Sequence, residues 1–205
     1  MRLLASASLV ALFLFAAHDA AAQEGAPRAT KDQETRTIAV TLNPLAFVVG
    51  RYGGNVEIVA ARHHAFVASG WIDTFPTALV RDMLPPEARD RVRDAPISAG
   101  GEIGWRLYTA SHGAEGLFVG PSLVFTPLVY PRLTPDEHVE LVTFHAPGAA
   151  LDIGAQTVTS FGLTLGGGLG VEYLAYSLPN DPQRLPLDLA PHWLPRVLAS
   201  AGWSF

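Results

Sequence analysis

The most apolar stretch beyond the first two dozen residues, 161–176, cannot be a membrane helix. It holds five glycines and Glu172, and each glycine in a helix interior costs about 1 kcal/mol relative to alanine. Read with a period of two, it resolves. Phe161, Leu163, Leu165, Gly167, Leu169, Val171 and Tyr173 share one face, opposed by Gly162, Thr164, Gly166, Gly168, Gly170 and Glu172. A chain that carries its apolar residues this way must place them on strands.

The same alternation runs through 97–108, where Ile97, Ala99, Ile103, Trp105 and Leu107 oppose Ser98, Gly100, Glu102, Gly104 and Arg106. It recurs at 193–205 and, less cleanly, at 37–49, 54–61, 64–72, 116–130 and 143–156. These make eight strands. The gaps near 61–63, 109–115 and 156–158 are tight, and those at 73–95, 131–142 and 177–192 are long and polar or proline-rich. An even strand count with alternating short and long connections is the plan of a transmembrane β-barrel. Ten residues tilted by about 40° rise about 25 Å, the height of the apolar band. The expected fold is all-β, an eight-stranded antiparallel up-and-down transmembrane barrel with room for short helices in its loops.

The N-terminus carries an address. Arg2 precedes a nearly unbroken apolar run over 3–17, and Ala20-Ala21-Ala22 follows, the layout of a secretory signal peptide. The expected organisation is a signal peptide over 1–22, a polar periplasmic tail over 23–36 and the barrel over 37–205. Charged residues are only 16%, against about 25% in soluble domains, and Lys31 is the single lysine. A net charge of -5 with no basic run argues against nucleic acid. With no cysteine there is no disulfide, thiolate nucleophile or cysteine-ligated zinc.

Only six charged residues fall inside the strands: Glu57, Glu102, Arg106, Asp152, Glu172 and Arg196. All six lie on the face made mainly of Gly, Ala, Ser and Thr, which suits a narrow lumen. An arginine on the lipid face would cost about 2–4 kcal/mol near the midplane. Glu172 and Arg196 are equidistant from residue 184, so a symmetric hairpin predicts an interior ion pair between them. Pro121, Pro127, Pro147 and Pro195 fall inside strands and remove ladder donors. Pro121 and Pro127 lead us to expect a fifth strand that is bulged or shortened.

Catalytic motifs are scarce. There is no nucleophile elbow, Walker loop or zincin motif, and the glycines 166–168 and 170 lie mid-strand. His63-His64 and Ser111-His112 fall at turns, and His145 is the one rim candidate, with Pro147 where a partner serine would stand. No residue takes a catalytic, cofactor-binding or metal-binding role, and no cofactor is expected. In the longest loop, helices are expected from Pro76 and over 86–94. Thr134-Pro135-Asp136-Glu137 has the form of a capping box. The alternating charges at Arg89, Arg91 and Arg93 read as a solvated face, or as a contact for lipopolysaccharide phosphates.

The chain resembles the small outer-membrane β-barrels of Gram-negative bacteria, the OmpA/OmpX transmembrane type. The resemblance rests on the alternating aromatic terminus Trp203-Ser204-Phe205 and on Asn43-Pro44-Leu45 near the first strand, and covers 37–205. It implies an outer-membrane location and assembly by the barrel-assembly machinery, with Trp203 and Phe205 in the signal that machinery reads. Outer-membrane lipid and lipopolysaccharide would be the other partners. The expected role is structural or surface-interacting, without catalysis. The alternatives are an enzyme modifying lipid A or phospholipid, and a soluble periplasmic lipocalin-like binder with an apolar cavity.

Overall fold

The computed structural model describes residues 36–74, 81, 84, 86–92, 97–110, 113–177, 180–183 and 192–205. The expected signal peptide, nearly all of the tail, Ser111, His112, Arg93 and the helix expected from Pro76 lie outside them. The fold is all-β. Eight strands run β1 Ile38–Leu42, β2 Arg51–Ala61, β3 His64–Thr74, β4 Ile97–Tyr108, β5 Gly116–Leu133, β6 Val139–Val158, β7 Leu163–Leu174 and β8 Trp193–Ser204. Each pairs antiparallel with the next, and β1 with β8, closing an up-and-down barrel.

The facing follows the alternation. Glu57, Asp152 and Glu172 are buried on the inner face, while Ile103, Leu123 and Ile153 are each at least 60% exposed on the outer. Glycines make room for the inner side chains. A Cβ at Gly154 would fall on the Phe118 ring, and one at Gly170 on the Asp152 carboxylate. Arg36, Phe205 and the tight turns lie at one end of the barrel. There Arg36 donates to the carbonyls of Ser204 and Ser160.

The first strand departs from expectation. The alternation predicts it over 37–49, but it stops at Leu42, and a short helix, α1, follows over Pro44–Val48. Asn43 is the reason. Its side chain accepts from the Ala46 amide at 3.2 Å while Pro44 sits in the first turn, a capped helix start that competes with the strand.

The fifth strand departs in the opposite sense, being 18 residues long and neither bulged nor shortened. Thr109 donates to Leu117 O at 2.9 Å, so the odd residues of β4 are those that exchange hydrogen bonds with β5. In that register Pro121 faces Trp105 and Pro127 faces Ala99, both where β5 should donate. Pairing lapses opposite Pro121 and ends at Gly101↔Phe125, just before Pro127. β6 likewise leaves β7 at Gly148↔Leu174, beside Pro147. The outer parts of β5 and β6 therefore leave the neighbouring strands and pair with each other, as far as Leu133↔Val139. Prolines suit such an edge, where little of the ladder remains for them to interrupt.

Two loop expectations also change. The helix expected over 86–94 is a single turn, α2, over Pro86–Arg89. Beyond it Val92 bridges to Val139, and Leu84, Val92, Val139 and Leu141 form a buried cluster against the protruding hairpin. The 134–137 segment is a hairpin turn, not a helix. Thr134 donates to His138 O at 2.8 Å and Glu137 takes a φ of 60°, because the Leu133↔Val139 pair holds its ends one strand spacing apart.

Candidate functional site: the charged lumen

The six strand charges converge inside the barrel as two groups. Near the end that carries Arg36 and Phe205, Arg106 forms an ion pair with Glu57, and Tyr108 donates to the other Glu57 oxygen at 2.6 Å. The Arg106 guanidinium lies 4.5 Å from the Phe118 ring centroid. Below this group the lumen is filled. Ala65, Tyr108, Ala114 and Phe118 form a buried cluster, and Gln156 donates to Ala114 O at 2.8 Å. Ala114, between β4 and β5, thus closes on the barrel's mouth.

The second group centres on Arg196. It donates to Glu102 at 2.6 Å and lies 3.6 Å from Asp152 and 3.9 Å from Glu172. Thr126 donates to Glu172 at 2.8 Å. The predicted Glu172–Arg196 pairing is thus a distant third contact. The register pairs Glu172 with Leu194 and Gly170 with Arg196, so the hairpin is centred on residue 183 and not 184. Because the two strands slide by two residues in total, both side chains keep their inward facing. The dominant partner, Glu102, comes from across the barrel on β4, a contact no local spacing encodes.

Sequence reasoning missed a third group. Arg51 makes two contacts with Asp73, at 2.8 and 3.2 Å, and lies 4.7 Å from the Trp71 ring, while Trp71 Nε1 donates to Asp73 at 3.0 Å. Arg51 falls between the strands expected at 37–49 and 54–61, and Asp73 falls in the long connection expected at 73–95. The signal was there: the inward parity of Glu57 extends to Arg51, and that of Ser69 and Trp71 extends to Asp73.

Between these groups lies a cavity of about 80 Å³, bordered by Arg51, Asn55, Ser69, Glu102, Arg106, Glu172, Arg196 and Ser200. That is room for a few water molecules. Removing one member of a buried ion pair costs about 3–5 kcal/mol, whereas the pair itself adds little over an apolar replacement.

His145 points outward, stacks on Phe125 with centroids 4.8 Å apart, and its Nε2 lies 3.0 Å from Ala99 O. It supplies the donor that Pro127 withholds from that carbonyl. His63 Nδ1 lies 3.1 Å from Tyr108 O and His64 stacks on Trp105. Among the described residues no serine or threonine hydroxyl is hydrogen-bonded to a histidine ring, and no group of three metal-ligating side chains meets. In the loops, Arg89 donates to Leu84 O at 3.0 Å and Arg91 to Glu137 at 3.4 Å. At the chain end Trp203 packs on Phe161, and the Phe205 amide donates to Ile38 O at 2.8 Å. No protein-family model, curated protein or solved structure matches this chain.

Proposed function

We propose that the chain is an integral outer-membrane β-barrel with a structural or surface-interacting role and no catalytic activity. The observation that carries this reading is the inverted facing. Glu57, Asp152 and Glu172 are buried within, while a belt that includes Ile103, Leu117, Leu123, Ile153 and Leu169, each more than half exposed, covers the outside. In water such a belt would be an aggregation hazard, since monomeric soluble proteins rarely expose a patch beyond several hundred Å². In hydrocarbon it is the expected surface. The 12-residue β7 and β8 rise about 30 Å at a tilt of about 40°, enough for the apolar band. A lipocalin-like binder needs the opposite facing.

The resemblance to OmpA/OmpX-type barrels supports the same placement, with both termini in the periplasm and the β5–β6 hairpin projecting outward. That hairpin, braced by the 84–92 loop, is the natural surface for contact with lipopolysaccharide or an outside partner. The filled lower lumen favours a closed barrel over a pore. The test is electrophoresis of the membrane fraction in detergent, with and without boiling. A heat-dependent shift in the outer-membrane fraction is expected. A protein found in the soluble fraction with no shift would overturn the reading.

A further inference from the structure

The barrel wall is incomplete on one side. β1 pairs with β8 only from Ala39↔Ser204 to Leu42↔Ala201, whereas β8 begins at Trp193 and β2 at Arg51. Because Phe205 donates to Ile38 O, the odd residues of β8 are those whose backbone groups point toward β1. Trp193, Val197 and Ala199 therefore aim amides, and Pro195 a carbonyl, at a place where no strand runs.

α1 stands in that place and packs on both β2 and β8. It is a weak cover. None of its residues is buried, Val48 is 83% exposed, and isolated helices shorter than about 12 residues are marginal. The Asn43 cap and a Phe47–Tyr52 stack at 5.4 Å hold it. Directly behind it lies the lumen cavity, whose lining includes Asn43 and Ala46 of this segment beside Gly53, Asn55 and Ser200 of the flanking strands.

We propose that this seam is a lateral binding notch for a membrane amphiphile with an electrically neutral head, covered by α1 as a movable flap. The inference rests on the membrane-spanning reading above. Outside the seam the wall is apolar, with Tyr52, Val197 and Trp193 each at least half exposed. Inside, it is polar, so an occupant must be apolar at one end and hydrogen-bonding at the other. Open sheet edges in hydrocarbon cost several kcal/mol per unmet group, and a polar head meets that need. The head is neutral or zwitterionic because both signs of charge already line the cavity. An anion would meet Glu102 and Glu172, and a lone cation would meet Arg51, Arg106 and Arg196. The cavity has room for the tip of the head, in place of a few water molecules, while the chain stays in the belt.

The test is photolabelling of the full-length barrel in phosphatidylcholine vesicles doped with two phosphatidylcholines, one carrying a diazirine near the head and one carrying it in the acyl chain. Adducts are mapped by peptide mass spectrometry. The head probe should label inward-facing Asn55 and Ser200, and the chain probe outward-facing Leu123 and Ile153. Ser69→Phe fills the cavity from β3; because Ser69 is paired with Asn55, the Ser200 adduct is its readout, and it should fall about tenfold, equivalent to about 1.4 kcal/mol of affinity, with the outer adducts spared. Labelling at Leu123 and Ile153 with none at Asn55 and Ser200 would overturn the notch and leave the membrane reading standing. Inner labelling untouched by Ser69→Phe would also overturn it. No labelling at any of the four positions would sink the membrane reading, and the notch with it.

Discussion

Arg196 is the residue whose removal says most about the lumen. Its guanidinium has one close hydrogen-bonded partner, Glu102 at 2.6 Å, and two through-space ones, Asp152 at 3.6 Å and Glu172 at 3.9 Å. At an effective dielectric of about 20, the Glu102 and Glu172 attractions amount to about 6 and about 4 kcal/mol before desolvation is subtracted. Desolvation offsets most of both. Arg196→Met keeps the aliphatic stem but leaves three carboxylates facing one another, so we expect a loss of about 3–5 kcal/mol. Urea unfolding of the vesicle-refolded barrel, followed by tryptophan fluorescence, measures it. Double-mutant cycles then separate the partners. The coupling of Arg196 with Glu102 should reach about 2–3 kcal/mol, and that with Glu172 about 1 kcal/mol or less, because Glu172 keeps its Thr126 hydrogen bond. Equal couplings, or a larger one with Glu172, would refute the register centred on residue 183. A loss below about 1 kcal/mol for Arg196→Met would refute the claim that the cluster is a buried network at all.

Three further outcomes follow from local geometry. His145→Ala should cost about 1 kcal/mol in the same unfolding assay by orphaning Ala99 O; in a Pro127→Ala background, where the strand regains its own donor, the cost should fall below about half of that. Gly162 has a φ of 109°, and a Cβ there would land on the Arg36 guanidinium and 2.8 Å from Ser204 O, so Gly162→Ala should destabilise by about 1–3 kcal/mol in thermal unfolding. Deleting Phe205 removes the backbone bonds it exchanges with Thr37 and Ile38. Envelope levels, read by immunoblot, should drop several-fold, whereas refolding from urea into vesicles should persist. Equal loss in both measurements would assign the terminus to stability and not to assembly.

The eight strands were legible because alternation is a local property. A period of two over ten residues marks a strand wherever it sits, and six charges sharing one parity identify a buried polar face. The prolines misled for the same reason: a missing donor weakens a strand only when a neighbour needs it. Whether Pro127 faces a partner or a free edge depends on where β4 stops pairing. The short first strand was encoded locally, since Asn43-Pro44 is a good helix start, but the alternation of 37–49 spoke louder than the cap. Partners across the lumen were out of reach. Arg196 lies 94 residues from Glu102, and they meet because closure sets β4 against β8, while a register of 183 or 184 looks alike from the loop between. By itself the sequence determined which residues are strands and which side of each is polar, because those are set by neighbours two positions away. Which charges touch, where the wall stays open and what covers the gap were decided by closure of the barrel, because only the closed ring brings distant strands within hydrogen-bond reach.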